Sequence, residues 1–91
     1  MNRPARLALS RRIERAQKAQ DEAWAELFKL AARPDERLGN IVGRLGPEHP
    51  AVRRSDAAGE RLQALMDKCR DAYGPAVSHP SRWVTFLRTT S

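Results

Sequence analysis

Residues 5–32, ARLALSRRIERAQKAQDEAWAELFKLAA, run without a glycine or a proline. Projected at about 100° per residue, Leu9, Ile13, Ala16, Gln20, Ala23, Trp24, Leu27 and Ala31 fall in one stripe. Arg11, Arg15 and Lys18 fall on nearly the opposite side. The pattern predicts a long amphipathic helix. A helix with a single apolar stripe must bury it against another element, so the remainder of the chain is read for that element.

Pro34 disfavours the helical conformation of Arg33 and ends the first helix. Leu38, Ile41, Val42 and Leu45 then repeat at helical spacing, behind Pro34, Asp35 and Glu36. This predicts a short second helix over about 34–45, with acids in its first turn. Gly39 and Gly43 weaken it, and their spacing of four would let another backbone approach. Gly46-Pro47 stops it. Pro50 opens a third helix that runs to about Tyr73, before Gly74-Pro75. Its heptad seam reads Ser55, Gly59, Leu62, Met66, Cys69 and Tyr73, small at the start and large at the end. Arg54, Arg61 and Lys68 recur every seven residues along the edge of that seam. Coiled coils place interhelical charges there, so these three are expected to face Glu22 or Glu26 of the first helix or of a second copy.

The tail after Gly74 changes character. Trp83, Val84, Phe86 and Leu87 crowd into five positions. Alternation and β-branching suggest a strand. Pro80 in a first turn, with Trp83 and Leu87 one turn apart, suggests a helix. The helix is favoured because the chain has no other good strand to pair with. Such an apolar tail docks on the hairpin or on a partner. The expected fold is therefore all-α, a single domain over residues 1–91. It is an antiparallel hairpin of two long helices with a short cross-helix at the turn and an apolar C-terminal docking tail.

Composition agrees. The chain is 41% hydrophobic and 31% charged, which suits a folded, soluble, helix-rich protein. Ninety-one residues give a thin core, and thin cores gain stability by oligomerising. A homodimer is expected, with Trp24, Phe28, Trp83, Val84, Phe86 and Leu87 as the partner or dimer interface. Gln20, in the middle of the first stripe, either fixes register as a buried amide or reaches water from a half-buried seam.

Charge carries the functional signal. The net charge is +6, and residues 1–18 hold +5 of it. Arg3, Arg6, Arg11, Arg12, Arg15 and Lys18 stand there against Glu14 alone. This asymmetry points to an anionic partner, most often nucleic acid. These six residues are the candidate phosphate contacts. Helix, connector and helix over 37–61 also share the outline of a helix-turn-helix, with Arg53, Arg54 and Ser55 near the second helix's start. The alternative function is a protein-interaction module, an adaptor, assembly chaperone or inhibitor, using the apolar stripe and the Trp83–Leu87 tail.

Other classes have no support. Cys69 is the only cysteine, so no intramolecular disulfide forms, and its place on the seam suggests an inert thiol. His49, His79 and Cys69 match no metal or nucleophile spacing. No catalytic residue, metal, cofactor or small-molecule substrate is expected. No apolar run is long enough for a membrane span, nor is there a signal-peptide core. The expectation is a cytoplasmic protein with no membrane partner.

Overall fold

The computed structural model describes residues 1–74 and 79–89, and these form four helices. They are α1 (Arg3–Lys29), α2 (Leu38–Leu45), α3 (Pro50–Tyr73) and α4 (Pro80–Thr89). Among the described residues there is no strand. The fold is all-helical, with α1 packed along α3 as the arms of a hairpin. The two run antiparallel: Glu26 meets Arg54 at one end of the seam, and Arg12 lies beside Leu65 towards the other. The result is a rod of 48 × 23 × 20 Å.

Helix boundaries follow from capping. The Asn2 side chain accepts a hydrogen bond from the Ala5 N–H at 2.9 Å, and Pro4 is tolerated in the first turn. The helix therefore starts two residues earlier than the apolar pattern alone implies. It also ends earlier, at Lys29 rather than Ala32. Arg44 donates to the freed Leu30 carbonyl at 2.8 Å, and the Ala32 N–H donates to Glu36 at 2.8 Å. These contacts hold residues 30–36 in a turn. They also explain why α2 begins at Leu38 and not at Pro34: Glu36 serves the connector, and Arg37 is the extended N-cap residue. The stops at Gly46 and Gly74 are as expected; both have φ of 88°, which favours glycine. The stop assigned to Pro75 lies outside the described residues. Gly39 and Gly43 have open space where a Cβ would stand, so no described backbone packs against either.

Both His-Pro pairs prove to be helix caps. Nδ1 of His49 accepts from the Ala51 N–H at 3.1 Å, and Nδ1 of His79 accepts from the Ser81 N–H at 3.2 Å. Each histidine thus satisfies an amide at a helix start that has no intrahelical partner.

Two clusters hold the rod. One gathers Leu9, Ile13 and Ala16 of α1, Leu62, Leu65 and Cys69 of α3, and Trp83, Val84 and Leu87 of α4. Tyr73 and Phe86 pack edge-on at 5.1 Å, and Trp83 and Phe86 at 5.6 Å. The other cluster joins Leu27, Ile41, Ala51 and Val52, with Leu38, Val42 and Leu45 beside them. Helix α2 thus closes the turn end of the hairpin. Between the clusters the seam is lined by Ala19, Ala23, Ala58 and Gly59. Gln20 is half-buried there, its amide close over Gly59.

The Trp83–Leu87 tail is spent inside the chain. Trp83 is 2% exposed, and Val84 and Leu87 are buried with it. Ser81 accepts from Gln17, and Arg88 pairs with Glu14, which fixes α4 to α1. Of the residues assigned to a partner or dimer interface, Trp83, Val84 and Leu87 are therefore unavailable, and Phe86 is half-buried. The reason is shape. The large end of the α3 seam leaves α1 and α3 with apolar surface that only a third helix covers.

Glu36 is the best-tied carboxylate. Arg44 reaches both its oxygens, at 2.8 and 3.2 Å. The Arg44 hydrogen bond, helped by the Ala32 N–H, lowers its pKa below the ordinary value of 4.5. A lowered carboxyl pKa stabilises the fold above the ordinary value, and that gain is lost as pH falls through the lowered one. The difference in melting temperature between wild type and Glu36→Gln should be constant above about pH 5 and narrow below it. A difference unchanged down to acid pH would mean the clamp is not ionic.

Candidate phosphate-contacting surface

The basic residues of α1 divide by position. Arg3, Arg11, Arg12, Arg15 and Lys18 are exposed. Arg6 is not: it is 8% exposed, and its Nε has no hydrogen-bond partner among the described residues. It stands three and four residues before Leu9 and Ser10, both buried, so the helical turn carries its stem into the packed side. Arg6 therefore leaves the group of phosphate contacts.

The remaining five are unpaired among the described residues. Among the described residues, ion pairs join Arg44 to Glu36, Arg54 to Glu26, Arg70 to Asp67 and Arg88 to Glu14. None uses Arg3, Arg11, Arg12, Arg15 or Lys18. Glu14, the one acid among residues 1–18, is drawn off by α4. The end of α1 that is rich in cations thus loses its neutralising partner to the tail.

Arg54 meets Glu26 as expected, but among the described residues Arg61 meets no acid. In an antiparallel pair, seven residues forward on α3 correspond to seven back on α1. That step leads from the level of Glu22 and Glu26 to that of Arg15 and Ala19, where α1 offers no acid. Arg61 accordingly shares a groove of about 340 Å³ with Arg12, Arg15, Ala16 and Leu65. The groove continues past Ala19 and Ala58 towards Glu22, Glu26 and Arg54. Arg53 remains exposed, while Ala51 and Val52 beside it are buried in the turn-end cluster. No protein-family model, curated protein or solved structure gives a significant match to this chain. Function is therefore read from this surface alone.

Cys69 is fully buried, and burial raises its thiol pKa, disfavouring the reactive thiolate. Both histidines are occupied as caps. Among the described residues, no three histidine, cysteine, aspartate or glutamate side chains gather as a metal site. No described helix is long and apolar enough to cross a membrane. The exposed large apolar residues of α1 are Trp24, at 36%, and Phe28, at 50%. They are one turn apart, so this part of the interface expected from the sequence remains on the surface.

Proposed function

We propose that this protein is a small non-enzymatic nucleic-acid-binding accessory or regulatory protein that contacts phosphates through the basic face of α1. The observation that carries the reading is the set of exposed α1 cations without an acidic partner among the described residues. Unpaired like charges on a folded helix repel one another, and a polyanion relieves that repulsion. Phosphate contacts position a protein without reading bases, so binding is largely sequence-independent. A cytoplasmic setting goes with this reading.

The test is fluorescence anisotropy with mixed-sequence duplex DNA and single-stranded RNA at two salt concentrations. For duplex DNA, log K falls with log salt by about 0.9 per phosphate neutralised. Engagement of all five exposed cations would give a slope of roughly −4 to −5. Absence of binding to either nucleic acid at low salt overturns the reading. The second reading, a protein-interaction module or homodimer, is favoured by the Trp24–Phe28 pair. Sedimentation would test it: a monomer mass at high concentration removes the dimer.

A further inference from the structure

Arg12 and Arg15 of α1 and Arg61 of α3 reach one groove from two helices. No carboxylate lines it, and none of the three arginines has an acidic partner among the described residues. Its floor is apolar, made of Ala16 and Leu65, which weakens screening between charges held above it. Three arginines lining one groove, with no acidic partner among the described residues, are an unfavourable arrangement for the protein alone. A doubly or singly charged oxyanion resolves it, and the planar fork of arginine matches phosphate oxygens two at a time.

The groove also has an end. Towards the turn it runs past Ala19 and Ala58 to Glu22 and Glu26, where a second row of phosphates would be repelled. Arg12 and Glu22 are ten residues apart, about 15 Å along a helix. That leaves room for a short anionic group and not for a strand laid along the whole seam.

We infer that the α1–α3 groove is a phosphoryl-binding site in which Arg12, Arg15 and Arg61 clasp a single phosphate group. The inference deepens the proposed function and rests on it where the phosphate belongs to a nucleic acid. It differs in assigning a required contact to α3. The same chemistry is offered by a free phosphate or pyrophosphate.

The decisive variant is Arg61→Gln, since Arg61 lies outside the basic face of α1 and is exposed without an ion-pair partner. Two measurements are made on it and on wild type. In anisotropy with duplex DNA, R61Q should bind about tenfold more weakly, with a salt slope close to that of wild type, because Arg12 and Arg15 still neutralise the same phosphate. Arg61→Lys, which keeps the charge and loses the fork, should recover only part of the affinity. In thermal melts at matched ionic strength, inorganic pyrophosphate should raise the melting temperature of wild type over chloride and leave R61Q unmoved. If DNA binding fails in wild type but the pyrophosphate effect is present and lost in R61Q, the site stands and its ligand is a free phosphate; the nucleic-acid reading is then the one that falls. If R61Q matches wild type in both measurements, the groove is not a phosphate site, whatever α1 binds.

Discussion

Trp83→Ala is expected to destabilise the protein by about 3–5 kcal/mol, as other buried large-to-small aromatic changes do. The side chain is 2% exposed and packs between Tyr73, Phe86 and the α1–α3 core. A domain of this size has a total stability of roughly 5–14 kcal/mol, so the loss is a large share of the whole. The melting temperature should fall by roughly 15–30 °C. Trp24→Ala is the contrast, because Trp24 is on the surface; its expected cost is under about 1 kcal/mol. The pair separates a docked tail from a free one. If the two variants melted alike, α4 would not be part of the folded core in solution.

Reversing Arg11, Arg15 and Lys18 to glutamate should abolish nucleic-acid binding, a loss of roughly a hundredfold or more, and should flatten the salt dependence. All three residues are exposed and outside the ion pairs. Circular dichroism should therefore remain helical. The melting temperature should hold or rise, because the change at Arg15 sets a carboxylate beside Arg12 and Arg61. Loss of binding without loss of fold is what distinguishes a contact surface from a structural one. Normal binding by this triple variant to both DNA and RNA would sink the proposed function.

The long elements were legible because their signals are periodic. The stripe of α1, the seam of α3 and the glycine stops are repeated local facts about one chain. The misreadings come from contacts between elements, which no single-helix projection contains. Helix α1 ends early because Arg44, fourteen residues on, takes the Leu30 carbonyl. Glu36 looked like a helix-opening acid and is instead the carboxylate of that clamp. Arg6 looked like one more surface cation, yet it is 8% exposed and lies on the packed side of α1. Arg61 looked like a salt-bridge residue, yet the register was countable: once Arg54 is set beside Glu22 and Glu26, seven residues on falls at the level of Arg15 and Ala19, which carry no acid. The two His-Pro pairs were visible, but their meaning lay in the amides that follow them, not in metal or nucleophile chemistry.

Alanines and Gly59 fill the seam between the two clusters, so little side-chain volume couples one end of the rod to the other. The turn end rests on Leu27, Ile41, Ala51 and Val52, the opposite end on nine buried residues from three helices. Such a molecule need not open all at once. Local opening of α2 leaves the three-helix end intact, and native-state hydrogen exchange would report smaller opening free energies for Leu38–Leu45 than for residues 9–16. The rod then behaves as two cooperative units threaded on the same pair of helices, and the end carrying the arginine groove is the one that stays closed.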